Sequence, residues 1–268
     1  MSLGRFSLKG DFARQVKLDL VVLFLCWLLV GGVSFFACGT GQKPGDDGSG
    51  SAPPVIPEEQ LVAQGVEILR SGTQVERDSV TRALYNIRNT SLLVAYLSDP
   101  DPNVKIGMVS ALGYIKDKST ARALNRMLPT EDDYLLCETI ISALEAIADT
   151  SSVSLLIGLF EDETTKRDMR LSLPVTLLAF TRTSAAPRIV DAFTRVLERE
   201  SGDIVLCSYV AMCIPEILDP GNYDRFRQFL PTMRRMAKKR KAEFGEDLLW
   251  SNFQMTIDRL ETYEPPAS

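Results

Sequence analysis

Apolar residues recur at helical spacing along most of this chain. The stretch that follows the Asp-Pro-Asp-Pro segment is a clear example, with apolar residues three or four positions apart at Val104, Met108, Ala111, Leu112 and Ile115. This spacing places the side chains on one face of an α-helix, and no segment has the strict alternation of a half-buried strand. The pattern therefore predicts an all-α fold of successive amphipathic helices, beginning near residue 57.

The helical pattern repeats along the chain. Three segments share Ala-Leu-x-x-Ile followed by a polar turn, and their Ala-Leu pairs are 28 and 32 residues apart: Arg82–Ser91, Ser110–Ser119 and Ser142–Ser151. Fainter copies follow at Thr176–Ser184 and Cys213–Gly221. Self-similarity near this period is typical of stacked helical hairpins.

Polar residues mark helix starts between these segments. Asp101 is expected to cap a helix whose first position is Pro102, where the missing N–H costs nothing. Thr130 together with Asp133 predicts a second start of this kind, and the turn Leu218–Asn222 separates two later helices.

Leu92–Leu128, with its Asp-Pro-Asp-Pro-Asn-Val-Lys and Ala-Leu-Gly pattern, resembles a HEAT repeat of the type found in phycobilisome lyases. Lys105 stands where that family favours a basic residue, Arg77 takes the equivalent place one repeat earlier, and Cys137 takes it one repeat later. The resemblance is strong over about 75–165 and weaker beyond, where Pro174 interrupts the helical pattern.

The resemblance implies a right-handed α-solenoid of about five to six HEAT-like hairpins over residues 58–264. In such a solenoid the inner helices form an extended binding surface. The expected function is a protein-binding scaffold or adaptor, and the candidate contacts are exposed positions on the helices that begin near Gln74, Pro102, Asp132 and Arg167.

The N-terminal segment has the pattern of an export signal. Basic residues precede Leu20–Ala37, which carries no charge and ends in small residues. With Cys38 next, the segment resembles a bacterial lipoprotein signal, which implies that Cys38 is lipidated on sulfur and becomes the first residue. The alternative is an uncleaved signal anchor, since the run is long enough to span a bilayer. Residues 1–37 are thus predicted to be a signal peptide or anchor.

A polar tether is predicted to follow over residues 38–57. Its Gly, Ser, Pro and Asp residues bury too little apolar surface to fold, and sixteen of them reach about 20–24 Å on average. The body is expected to be exported and membrane-anchored, facing the periplasm or cell surface, with another envelope protein as its partner. Gly39 lacks the aspartate that retains some lipoproteins at the inner membrane, which favours the outer one.

The amino-acid composition limits which catalytic, metal-binding and nucleic-acid-binding sites the chain can form. The chain has no histidine, which removes the commonest general base and the usual zinc ligand. Its net charge is −5, and nucleic-acid binding is not expected because that usually rests on a positive surface. Asp99, Asp101 and Asn103 imitate the start of a calcium loop, but Val104 and Ser110 stand where that loop needs Gly and Glu. We therefore expect no metal, no cofactor and no enzymatic activity.

The three cysteines of the helical region are predicted to lie in the hydrophobic core. Cys137, Cys207 and Cys213 each have apolar neighbours, and buried free cysteine behaves as a small hydrophobe. Cys207 and Cys213 lie six residues apart on one predicted helix, which is unsuited to a disulfide.

A basic amphipathic stretch, Arg225–Phe244, stands out on the acidic body. Six cations fall within eight residues: Arg234, Arg235, Lys238, Lys239, Arg240 and Lys241. The stretch could be a solvated helix face, or it could contact anionic headgroups or an acidic partner. Lipid or envelope-surface binding through this helix is therefore the alternative function. A third hypothesis, an enzyme or pigment-attachment factor, rests only on analogy within the repeat class.

Overall fold

The computed structural model describes residues 56–200 and 202–264, and these residues form only helices, turns and loops. Thirteen α-helices follow one another in this part of the chain: α1 (Glu58–Ser71), α2 (Gln74–Leu84), α3 (Ser91–Val94), α4 (Pro102–Ile115), α5 (Ala121–Met127), α6 (Tyr134–Ile147), α7 (Val153–Glu161), α8 (Arg167–Leu178), α9 (Ala186–Arg199), α10 (Ile204–Ile217), α11 (Tyr223–Arg227), α12 (Leu230–Phe244) and α13 (Leu248–Glu261). The predicted all-α class is confirmed.

Side-chain caps fix where four of the longer helices, α4, α6, α10 and α13, begin. The carboxylates of Asp101, Asp133, Asp203 and Asp247 each accept a hydrogen bond from a backbone N–H in the first turn of α4, α6, α10 and α13. These caps satisfy N–H groups that have no partner within the helix. Asp101 followed by Pro102 starts α4 as predicted. Thr130 does not take part in the start of α6, because it ends a 3-10 turn three residues before the Asp133 cap.

The polar turn at the end of the sequence repeat has the same backbone conformation after α4 and after α6. Lys116 after α4 and Ala148 after α6 adopt left-handed backbone angles, with φ of 61° and 50°. In each case the next residue, Asp117 or Asp149, accepts a hydrogen bond from the backbone N–H two residues later. The turn reverses the chain so that the next hairpin can begin.

The helices form six hairpins that stack in two rows. The first row contains α1, α3, α5, α7, α9 and α12, and the second row contains α2, α4, α6, α8, α10 and α13; each first-row helix contacts the second-row helix that follows it. Within the second row every helix contacts the next, from α2 through to α13. This is the α-solenoid that the sequence repeat predicts, with a single hydrophobic core running from Val62 to Leu260.

Small residues let neighbouring helices approach closely. A Cβ built on Gly113 of α4 would lie 2.9 Å from the Cα and Cβ of Ala143 on α6. The two positions belong to the repeated Ala-Leu segments, so the repeat itself supplies the space. Pro174 is accommodated inside α8, where it is buried.

Several sequence predictions have definite outcomes here. Cys137, Cys207 and Cys213 are buried free thiols, which confirms their place in the core. Among the described residues no helix combines the length and the apolar character needed to cross a membrane. The signal or anchor over 1–37, Cys38 and nearly all of the 38–57 tether lie outside the described residues.

Candidate functional site

Exposed apolar side chains are concentrated on the second row of helices. Of the ten large apolar side chains exposed in the described residues, seven belong to that row: Val75, Tyr114, Tyr134, Leu135, Val175, Leu248 and Met255. The other three are Ile56, Ile68 and Phe244. We call the solvent side of the second row the second-row face. Grouped exposed apolar side chains are typical of protein-interaction sites.

A groove of about 410 Å³ opens on this face between α2 and α4. Most of its lining comes from these two helices, with Leu69 contributed by α1 and Leu135 by α6: Leu69, Gln74, Arg77, Asp78, Thr81, Arg82, Tyr85, Asn103, Ile106, Gly107, Ser110 and Leu135. Tyr85 stacks on the exposed ring of Tyr114, with ring centroids 3.9 Å apart and an interplanar angle of 12°. The groove therefore offers both hydrogen-bonding and apolar contacts.

Five second-row helices share an equivalent position, which is the fourth residue of each helix. Its occupants are Arg77, Lys105, Cys137, Arg170 and Cys207. We call this the N4 position. The family resemblance predicted its basic character for the first two occupants, but Arg170 was missed.

The basic N4 side chains of Lys105 and Arg170 join one repeat to the next. Lys105 pairs with Glu131 at 2.7 Å, and Arg170 pairs with Glu200 at 3.0 Å while donating to the carbonyl of Phe160. The two N4 cysteines each donate to a backbone carbonyl in the loop before their own helix. Cys137 donates to the carbonyl of Glu131, and Cys207 donates to the carbonyl of Glu200. Burial raises the pKa of the Cys207 thiol to about 12, so this group stays protonated and unreactive.

Arg77 differs from the other basic N4 residues. Its Nη1 donates to the side-chain oxygen of Asn103 at 3.0 Å, and its Nε is buried without a hydrogen-bond partner. No carboxylate among the described residues pairs with it.

Two carboxylates on α6, Glu138 and Glu145, are partly buried towards α8. Burial is the main cause that raises the pKa of both groups, and the nearby carboxylate of Asp168 raises the pKa of Glu138 further. The hydroxyls of Ser172 and Thr176 act in the opposite direction. Nothing in the sequence singled out these glutamates, because their burial depends on how α8 packs against α6.

We expect Glu145→Gln to raise the free energy of unfolding at pH 7.5. A carboxyl whose pKa is higher in the folded state contributes stability below the unfolded pKa of about 4.3, and this contribution is lost as the pH rises through the folded pKa. Glutamine keeps the uncharged form at every pH, so its advantage should be largest at pH 7.5 and vanish near pH 4. Urea unfolding at both pH values measures this difference. The exposed Glu243→Gln is the control, and an equal gain at both pH values would contradict the account.

The predicted basic stretch is divided by the structure. Arg225–Phe244 forms the short α11 and, after a turn, the longer α12. Three of its six clustered cations have carboxylate partners: Arg234 pairs with Glu261, Arg240 with Asp247, and Lys241 with Glu246. The exposed Arg235, Lys238 and Lys239 lie one helical turn apart on α12 and make no ion pair with any described residue. The available positive charge is thus half of what the sequence indicated.

The described residues contain no group of three or more His, Cys, Asp or Glu side chains placed to hold a metal ion. The groove and the perturbed carboxylates occupy different places, because neither Glu138 nor Glu145 lines the groove.

The chain was compared with known families, curated proteins and solved structures. Residues 90–173 match the model of the family described as HEAT repeats. No curated protein matches the chain. Among solved structures, an engineered protein is similar at 15% identity and a TM-score of 0.45, covering 75% of this chain and 96% of its own. The complex of CpcE and CpcF of phycocyanin lyase from Nostoc sp. PCC7120 is similar at 16% identity and a TM-score of 0.36, covering 83% of this chain and 100% of its own.

Proposed function

We propose that this chain, whose residues 90–173 match the family model for HEAT repeats, is a membrane-tethered scaffold that binds another envelope protein through its second-row face. HEAT repeats indicate a helical scaffold or protein-interaction role. The finer proposal adds which face binds and where the protein works.

The distribution of exposed apolar side chains carries the proposal. Val75 is 76% exposed and Leu135 is 60% exposed, on helices two repeats apart in the same row. Exposing such side chains to water is unfavourable, and a partner that covers them recovers the transfer free energy of burial, about 25 cal/mol per Å². The groove between α2 and α4 adds polar groups that can set the register of the partner.

The tether is proposed from the sequence. A lipidated Cys38 followed by a polar linker would hold the solenoid at the membrane. Several acyl chains on one residue hold a protein far better than a single chain, because each buried CH₂ contributes about 0.8 kcal/mol.

A binding role is favoured over an enzymatic one. An active site would place its perturbed carboxylates inside a cavity. Here the groove is lined by Arg77 and Asp78, whereas Glu138 and Glu145 lie at the contact between α6 and α8.

Replacing Val75 and Leu135 together by serine is expected to weaken partner binding at least tenfold. Fully burying a Val or Leu side chain contributes about 1.5–3 kcal/mol. Because about 1.4 kcal/mol corresponds to a tenfold change in affinity, losing both contacts should exceed a tenfold effect. The measurement is cross-linking of the full chain in intact cells, followed by capture and quantification of the partner by mass spectrometry. Phe244→Ser is the matched control, since Phe244 is 62% exposed but lies in the first row.

The proposal requires one stoichiometric envelope protein that the control retains and the double variant loses. Equal recovery from both variants would assign the interface elsewhere. Mass spectrometry of the purified full chain tests the tether separately. A chain that begins at Cys38 and carries acyl chains would support the tether, whereas a chain that retains Leu20–Ala37 would support the uncleaved anchor.

The second candidate function is binding to an anionic surface through Arg235, Lys238 and Lys239. The observation that favours it is that these three exposed cations share one side of α12 without ion-pair partners in the described residues. Reversing their charge to glutamate should release the protein from anionic vesicles under this hypothesis. The scaffold proposal predicts that the same variant keeps its protein partner.

A further inference from the structure

We propose that the groove between α2 and α4 binds a carboxylate side chain of the partner, with Arg77 as the residue that recognises it. The proposal deepens the scaffold function and rests on it, since it names the chemistry that one part of the second-row face recognises. The ligand class is an acidic peptide segment in which a Glu or Asp is flanked by apolar residues.

The repeats themselves provide the comparison that carries this inference. In two later hairpins the basic N4 residue meets a carboxylate just before the next second-row helix. Glu131 lies two residues before the Asp133 cap and forms an ion pair with Lys105. Glu200 lies three residues before the Asp203 cap and forms an ion pair with Arg170. Arg77 is the third basic N4 residue, and it has no ion pair with a carboxylate among the described residues.

The chain does place a carboxylate at the corresponding position, but it is already engaged. Asp99 stands two residues before the Asp101 cap. Its Oδ2 accepts from Arg70 of α1 at 2.6 Å, and its Oδ1 accepts from the backbone N–H of Asp101. Asp99 is therefore tied to α1 on the other row, and Arg77 is left with the neutral oxygen of Asn103.

Leaving this guanidinium without an anion is unfavourable in a half-buried place. Its Nε is buried and meets no acceptor among the described residues. Charge-assisted hydrogen bonds to a carboxylate are about twice as strong as hydrogen bonds between neutral groups, so an entering carboxylate would be bound in preference to an amide.

The rest of the groove defines what surrounds the carboxylate. Ile106 and Leu135 supply apolar contacts. The charged groups that face the groove besides Arg77 are Asp78, whose carboxylate accepts from Gln74, and Arg82. Two cations and one anion leave a net positive charge, which suits a segment with a single acidic residue and apolar neighbours.

The test is a cellulose-bound array of nonapeptides, each with a central Glu flanked by Leu, Phe, Val or Ala, printed beside matched peptides with central Gln. The detergent-solubilised full chain is applied, and the retained protein is quantified on each spot. Retention on the best Glu peptides is expected to exceed that on their Gln counterparts at least tenfold. Arg77→Gln should remove the difference and Arg77→Lys should retain part of it. Arg122→Gln, which removes a charge from the exposed side of first-row helix α5, should leave it unchanged.

Asn103→Asp tests the same site with a variant that is expected to stabilise the fold. It places a carboxylate where Asn103 already accepts from Arg77, and an acidic residue in the first turn of α4 is also favoured by the helix dipole. We expect Tm to rise by about 2 °C, in the range that a stabilised domain of this size shows, and Glu-peptide retention to fall to the Gln level. Equal retention on Glu and Gln spots, or an Asn103→Asp variant that still prefers Glu, would overturn the carboxylate site. Loss of partner capture by the Val75 and Leu135 variant would still support the scaffold function in that case.

Discussion

Arg170→Met is expected to lower the free energy of unfolding by about 3 kcal/mol. Arg170 is only 7% exposed, donates to the carbonyl of Phe160 and pairs with Glu200. Methionine fills much of the volume but removes the donor to that carbonyl and the buried donor to the carboxylate of Glu200. Removing one partner of a buried pair costs about 3–5 kcal/mol, and the lower end applies because Arg199 remains 3.3 Å from Glu200.

The control lies one turn earlier on the same helix. Arg167 pairs with Asp203 at 3.0 Å but is exposed, so Arg167→Met should change stability by less than about 1 kcal/mol. Urea unfolding of the two variants measures the difference. Similar losses in both would show that burial does not set the strength of the N4 pair.

Gly113→Ala is expected to destabilise the protein by about 2 kcal/mol, since overpacking a close contact against backbone costs up to about 3 kcal/mol and helix propensity returns about 1 kcal/mol. The new methyl group would lie 2.9 Å from the Cα and Cβ of Ala143, so α4 and α6 must separate. This cost exceeds the gain of about 1 kcal/mol that alanine brings over glycine in a helix.

Gly158→Ala is the matched control, because a Cβ at Gly158 of α7 meets nothing within 4 Å. It should stabilise the protein by up to about 1 kcal/mol through helix propensity alone. Thermal unfolding of both variants should therefore give Tm shifts of opposite sign. Shifts of the same sign would contradict the close approach of α4 and α6.

The sequence was sufficient for the helical repeat because its determinants are local. The Ala-Leu segments set the core face, and Asp101 marks a helix start through its cap. Arg170 could also have been found: it stands seven residues before Leu177 in the faint copy, as Lys105 stands seven before Leu112. The equivalence is hard to recognise because the family resemblance is weak after residue 165.

Other features depend on contacts between distant parts of the chain. Asp99 and Arg70 are 29 residues apart, and only their pairing shows that Arg77 lacks a carboxylate. The pairing of Arg234 with Glu261, 27 residues later, also depends on the fold. Asp247 and Glu246 lie only seven and five residues after Arg240 and Lys241, and the turn after α12 brings these carboxylates to their partners. The raised pKa values of Glu138 and Glu145 likewise follow from packing between α6 and α8.

The most direct test of the scaffold function is site-specific photo-cross-linking in intact cells. Benzoylphenylalanine is placed at Leu135 on the second row or at Phe244 on the first row, two positions of nearly equal exposure. The account predicts that Leu135 cross-links to one discrete envelope protein and that Phe244 does not reach it. A discrete product from Phe244 alone, or the same product in equal yield from both positions, would contradict binding through the second-row face.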